Sequence, residues 1–185
     1  MKKIIVLEGP SGVGKDTVVT KLIERYPDTY IKMVSMTSRK MREGEREGVT
    51  YNFISRRSFE SKIKSGEIFE YTIMARDGEY RGMSKSNIDR VMKTGKVQIK
   101  DCDWIGIEAL RNNYPGQVYA IALCAPKEAV AERIRARGGC EKDMACRIRD
   151  YDEYRAKIEP VCDVVVCNDN LDECVDRVHE LIQKS

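Results

Sequence analysis

Five short runs of aliphatic and β-branched residues punctuate the chain: Ile4–Leu7, Tyr30–Ser35, Lys96–Lys100, Val118–Leu123 and Asp163–Cys167. Their apolar positions are close to continuous, as in strands buried on both faces of a sheet. Between or after most of them the apolar spacing changes to three and four residues. Val18, Val19, Leu22 and Ile23 share one face of a helix opening at Lys15. Ile88, Val91 and Met92 mark a second, stopped by Gly95, and Ala129, Val130 and Ile134 a third, stopped by Gly138-Gly139. Leu171, Cys174, Val175, Val178 and Ile182 outline a terminal amphipathic helix. Strands alternating with helices predict an α/β fold, a five-stranded parallel core sheet flanked by helices on both faces.

One stretch breaks the rhythm. Residues 36–86 are rich in Arg, Glu, Gly, Ser and Tyr and carry two further strand-like pieces, Thr50–Ser55 and Ile68–Ala75. They predict an insertion with its own small mixed sheet. A second polar excursion, 133–156, carries Arg133, Arg135, Arg137, Arg147, Arg149 and Arg155. The expected organisation is one domain: a core of 1–35, 87–132 and 157–185, with the two excursions set into it.

Composition narrows the class. The 185 residues are 42% apolar and 34% charged, and 33 basic against 30 acidic side chains leave a net charge of +3. That balance points to neither a nucleic-acid nor a membrane partner. No apolar run approaches the ~20 residues of a membrane span, and Met1-Lys2-Lys3 leads straight into Ile4 without a signal-peptide pattern. A cytoplasmic protein is expected. Seven cysteines lie scattered over the second half, with no C-x-x-C pair and a single histidine, His179. This pattern predicts free thiols and no zinc site.

The first candidate chemistry follows the first strand. Gly9-Pro10-Ser11-Gly12-Val13-Gly14-Lys15 joins that strand to the first helix. A phosphate site needs glycines so that backbone N–H groups converge, a helix N-terminus for positive field, and an ammonium. All three coincide here. The residue after the lysine, where a P-loop has Ser or Thr, is Asp16, followed by Thr17. A carboxylate can hold Mg²⁺ directly or through water, so Asp16 is expected in the metal shell.

The second candidate lies in the insertion. The segment from Ser35 through Arg39, Arg42, Gly44-Glu45, Gly48 and Tyr51 to Phe53 places two arginines three apart ahead of a glycine turn and a tyrosine. This arrangement can fork a phosphate. The segment resembles the signature of the guanylate kinase family, and with the glycine loop the resemblance runs over about residues 3–183. It implies the P-loop nucleoside monophosphate kinase fold, with 36–86 binding GMP and 133–156 forming a helical lid. By the same resemblance Arg39, Arg42 and Tyr51 grip the GMP phosphate, while Ser35 and Glu70 contact the guanine. Asp101 falls near metal and phosphates and Asp103 near the base. Arg137 and Arg147 close over the transferring phosphoryl group, with Arg133 in support, and Asn168 lies near the ATP adenine. ATP and Mg²⁺ are the implied cosubstrate and metal.

The chain departs from the family pattern at four places. Arg81-Gly82-Met83 stands where the family has Tyr-Gly-Thr or Tyr-Gly-Ser, so an arginine faces the GMP phosphate and a thioether replaces a hydroxyl that donates to guanine O6. Tyr80 and Ser84 are neighbouring substitutes for the lost groups. Lys100 sits inside a strand that reads as buried, Ile105 stands where Gln is common, and Asp16 follows Lys15. The activity implied is transfer of the ATP γ-phosphoryl to GMP. Two other readings stand beside it. Ribose 1,5-bisphosphate phosphokinases are similar and tend to share Gly-Lys-Asp, but are not expected to keep Arg39, Arg42, Tyr51 and Glu70 together. Guanylate-kinase-like scaffold modules have typically lost the ATP loop that this chain retains.

Overall fold

The computed structural model of the chain describes every residue except Arg76 and Gly139. Nine strands are described: β1 (Ile4–Glu8), β2 (Tyr30–Lys32), β3 (Met36–Thr37), β4 (Asn52–Phe53), β5 (Ile68–Ile73), β6 (Tyr80–Ser84), β7 (Val97–Lys100), β8 (Val118–Cys124) and β9 (Val164–Cys167). Five make a parallel sheet in the order β2-β7-β1-β8-β9. β1 is the axis of that sheet, with Ile5 opposite Ile99 on one side and Tyr119 on the other. Its five residues are all buried, which explains their unbroken apolar run.

The helices are α1 (Lys15–Arg25), α2 (Arg56–Lys64), α3 (Lys85–Met92), α4 (Trp104–Asn113), α5 (Lys127–Arg137), α6 (Glu141–Arg149), α7 (Tyr151–Ile158) and α8 (Leu171–Lys184). One face of the sheet is covered by α1, α5, α7 and α8, through Val18, Leu22, Val130, Tyr151, Val175 and Val178. The other is covered by α3 and α4, through Ile88, Ile107 and Leu110. Local chemistry sets several helix starts: Asn170 accepts from the Asp172 and Glu173 N–H groups, Ser55 from Ser58 and Asp103 from Gly106.

Residues 36–84 form a second sheet, β4-β3-β6-β5, mixed as expected because β3 runs parallel to β4 and antiparallel to β6. Its small core is Met36, Phe59 and Ile68, with α2 supplying Phe59. The pattern had not indicated α2, α4, β3 or β6. α2 is strongly polar, and β3 is only two residues long. The stop expected at Gly138-Gly139 is met at Gly138, and Gly139 lies outside the described residues.

Two expectations need correction. β2 and β9 were expected to be buried on both faces, yet they lie at the two sheet edges and leave Lys32 exposed and Val165 43% exposed. An edge strand has one neighbour, so its apolar run does not guarantee burial. The cysteines were expected to be free thiols, and five are, but Cys124 and Cys167 form a disulfide. They face each other in register across β8 and β9 with Cα atoms 4.6 Å apart, a separation that a disulfide can span.

No helix among the described residues is long and apolar enough to cross a membrane. Tyr151, at the start of α7, is 1% exposed, and its hydroxyl both donates to the Ala125 carbonyl (2.5 Å) and accepts from the Ala125 N–H (3.1 Å). Removing that hydroxyl strands two buried backbone groups. Tyr151→Phe is therefore expected to cost about 1–3 kcal/mol, read as a lower urea midpoint with an unchanged slope.

Candidate active site

β1 ends at Glu8, and residues 9–14 carry the chain into α1. Gly12 and Gly14 hold φ of +91° and +98°, in the region that favours glycine. A Cβ on Gly14 would stand 2.5 Å from Asn168 Nδ2, so the position is closed by contact as well as by torsion. The loop bounds a cavity of about 490 Å³ whose wall includes Gly9, Pro10, Ser11, Lys15, Asp16 and, from across the opening, Arg137 and Arg147. The Lys15 ammonium folds onto the loop, donating to the carbonyls of Gly9 and Pro10. Burial lowers its pKa, while Glu8, Asp101 and Asp16 oppose the shift. A polyanion entering this cavity would meet the start of α1, an ammonium and two guanidinium groups.

Other predicted residues of this loop serve it from behind. Val13 is fully buried in the core, and Thr17 is exposed on α1. Asn168 is 3% exposed and donates from Nδ2 to the Val13 carbonyl at 2.7 Å, so it braces the loop and does not line the cavity. Arg133 reaches the carbonyls of Gly12, Val13 and Asn168 at 3.4–3.5 Å. Arg147, on α6, donates to Ser11 Oγ at 3.3 Å and so links that helix to the loop.

A second cavity of about 310 Å³ opens between β7 and the smaller sheet, and Ser35, Tyr51, Glu70, Arg81, Asp101 and Asp103 all line it. Glu70 comes from β5, and Asp103 arrives as the N-cap of α4, where it accepts from the Gly106 N–H at 3.0 Å. Burial pushes the Glu70 carboxyl above the ordinary glutamate range; the charge of Asp103 adds to this and Lys100 opposes it. Asp101 belongs to both halves of the site, lining this cavity while its charge acts on Lys15.

Arg39 and Arg42 do not line the cavity wall. Arg39 is 8% exposed and grips Glu45 through two hydrogen bonds of 2.6 and 2.5 Å, its guanidinium 5.1 Å from the centre of the Tyr51 ring. That pairing holds the Glu45 carboxyl down to about 2. Arg42 is exposed and lies 4.0 Å from Asp77, which Arg81 also binds at 3.0 Å. Two donors nevertheless lack partners: Arg39 Nε and Arg81 Nη1 are buried with no hydrogen bond. Buried donors of this kind call for an acceptor that the chain does not supply.

The substitutes expected around position 83 are engaged elsewhere. Met83 is 2% exposed and packs in the core with Ile88 and Ile107. Ser84 is the N-cap of α3, accepting from the Asn87 N–H. Tyr80 stacks on Phe59, and its hydroxyl points to Glu60. Neither Tyr80 nor Ser84 lines the second cavity. One buried group the sequence reading overlooked is Glu8, 3% exposed, which accepts from the Tyr154 hydroxyl at 2.7 Å and so ties α7 to the end of β1. Its signal was present: a carboxylate closing an apolar strand just before the glycine loop.

Comparison with known proteins agrees with this architecture. The family model described as guanylate kinase matches residues 1–185. A guanylate kinase of Prochlorococcus marinus is 30% identical over 183 residues, covering 99% of this chain and 98% of the relative. One of Helicobacter pylori is 36% identical over 140 residues, covering 76% of this chain and 66%, or about two thirds, of its own length. The crystal structure of guanylate kinase from Anaplasma phagocytophilum superposes with a TM-score of 0.69 at 26% identity, covering 99% of this chain and 85% of that one. A full-length family match, relatives at this identity and a shared fold together establish that the chain belongs to the guanylate kinase family.

Proposed function

We propose that this chain transfers the γ-phosphoryl group of ATP to GMP, giving ADP and GDP. The observation that carries the reading is the pairing of two unlike cavities along one sheet edge. The first has the glycine loop and Lys15; the second has Glu70 and Arg81, whose Nη1 is buried without a partner, and Asp101 lines the second while its charge acts on Lys15. The first suits a triphosphate and the second a phosphorylated purine. As the curated relatives are named guanylate kinases, GMP is the acceptor this pairing favours.

In this mechanism the protein positions the reactants and neutralises charge. The loop N–H groups and Lys15 hold the donor phosphates. Arg39 Nε, Arg81 and Tyr51 hold the acceptor phosphate, with Arg42 free to join from its exposed position. Glu70 accepts from guanine N1–H and N2–H₂, and Asp103 and Ser35 flank the base. Arg137 and Arg147 stabilise charge on the transferring group. Residues 133–156 act as a lid over the reacting phosphates and 36–86 as the GMP-binding insertion, and their approach excludes water.

Asp16 and Asp101 are the residues that would hold Mg²⁺. No group of three metal-ligating side chains occurs among the described residues. Two carboxylates still fit an ion that keeps several waters and takes its other oxygens from substrate phosphates. When bound, Mg²⁺ supplies charge neutralisation at those phosphates.

ADP release in a coupled assay tests the reading. Activity is expected with GMP and not with AMP or ribose 1,5-bisphosphate, and Lys15→Ala should lower kcat at least about 100-fold. No turnover of GMP would overturn it. Glu70→Gln should raise the KM for GMP about 10- to 100-fold and leave that for ATP unchanged. Because the Glu70 pKa is raised, kcat/KM for GMP should fall as pH drops through an ionisation above the ordinary glutamate value, where the protonated carboxyl no longer accepts twice. That limb should be absent in Glu70→Gln. Asp16→Asn should shift the Mg²⁺ midpoint of turnover upward about tenfold, and an unchanged midpoint would remove Asp16 from the metal shell.

A further inference from the structure

Guanine presents two donors, N1–H and N2–H₂, beside two acceptors, O6 and N7. Glu70 can satisfy the donors. Enclosed without a partner, O6 would keep the full cost of its lost hydration, so the cavity needs a donor next to Glu70. The groups closest in sequence do not provide one: Met83 is a buried thioether, Ser84 caps α3 and Tyr80 faces Glu60. Thr50, Thr72 and Lys32 line the same cavity but are exposed.

Lys100 is the remaining candidate. It ends β7, two residues after Gln98, whose side chain reaches the Ile88 carbonyl on the α3 side of the sheet; strand alternation puts Lys100 on that same side. Its half-buried ammonium lines the cavity with Glu70 and donates to Ser35 Oγ at 2.9 Å. Among the described residues no carboxylate lies within ion-pair distance of Lys100, so its other N–H groups have no acidic partner.

We propose that Lys100 is the specificity-determining donor for the 6-oxo edge of the acceptor purine, reading O6 with Ser35 while Glu70 reads N1–H and N2–H₂. The inference rests on GMP being the acceptor. It explains why a lysine is kept in a strand whose other residues are buried, and how guanine recognition survives a thioether at position 83. An ammonium opposite O6 makes a charge-assisted hydrogen bond. Opposite the 6-amino group of adenine it would meet another donor, so Lys100 both selects the 6-oxo purine and rejects the 6-amino one.

The test compares GMP with 6-thioguanosine 5′-monophosphate, which keeps N1–H, N2–H₂ and the phosphate but carries a weakly accepting sulfur at position 6. Wild-type protein and Lys100→Met and Lys100→Arg variants are assayed for kcat/KM at neutral pH. Wild type should prefer GMP by about tenfold or more; Lys100→Met should lose about 10- to 100-fold with GMP and show nearly equal use of the two. Its KM for ATP should stay within about twofold, since the donor cavity is untouched. Lys100→Arg, which keeps a cationic donor, should retain the preference. A Lys100→Met protein with the wild-type preference would show that O6 is read elsewhere. Equal losses with both acceptors would make the lysine structural. If Lys100→Met does not fold, loss of the preference in folded Lys100→Arg overturns the proposal and its retention supports it. A wild-type protein inert toward GMP would refute the underlying assignment before any variant is compared.

Discussion

The register of β1 between β7 and β8 is the constraint on which the site depends. Parallel pairing brings the C-terminal ends of β1, β7, β8 and β9 to one edge of the sheet, and these ends carry Gly9, Asp101, the segment before α5, and Asn168. Ligands of open α/β sheets collect at that edge because the strands stop there and the following loops diverge. The central strands β1, β7 and β8 are held by their neighbours through buried aliphatic side chains, and the glycine loop leaves directly from the end of β1. The loop is also braced from behind, since Asn168 and Arg133 take up its carbonyls.

Charge is distributed differently in the two halves of the site. The first cavity sets Lys15, Arg137 and Arg147 beside the carboxylates of Asp16 and Asp150, with Lys15 resting on backbone carbonyls and Arg147 on a serine hydroxyl. The acceptor half is held by internal ion pairs, Arg39 with Glu45 and Arg81 with Asp77. Such pairs fix the orientation of planar guanidinium groups before a ligand arrives, which lowers the ordering cost of binding. The unpartnered Arg39 Nε and Arg81 Nη1 are the part of that network without an acceptor in the chain. Tyr51 takes part twice, as a face for the Arg39 guanidinium and as a wall of the cavity.

Several contacts tie the polar excursion to the core, Arg133 on the glycine loop among them. Tyr151 is anchored on Ala125, Tyr154 on Glu8, and Arg147 on Ser11. The first is buried and sits at the base of α7; the last is an exposed single hydrogen bond near the opening. The anchoring is thus buried at the base of α7 and exposed near the cavity opening. The Cys124–Cys167 bond lies on the same edge, joining β8 to β9 just before Asn168.

The parallel sheet, its central strand and the glycine loop were legible because each is a local signal: an unbroken apolar run, a change of period, glycines where positive φ is needed. Glu70, Asp103, Tyr51 and Ser35 were likewise legible through the family signature, and they meet in one cavity. Other features depend on partners distant along the chain. Nothing near Arg147 in sequence announces a bond to Ser11, 136 residues away, and nothing near Cys124 announces a partner 43 residues away. The same holds for Lys100, odd as a strand residue until folding sets its ammonium beside Ser35. Periodicity and turn chemistry act over a few residues and are written in the chain. The partner of a charge or a thiol is chosen by packing, because it depends on which distant strand ends the sheet brings within 3–4 Å.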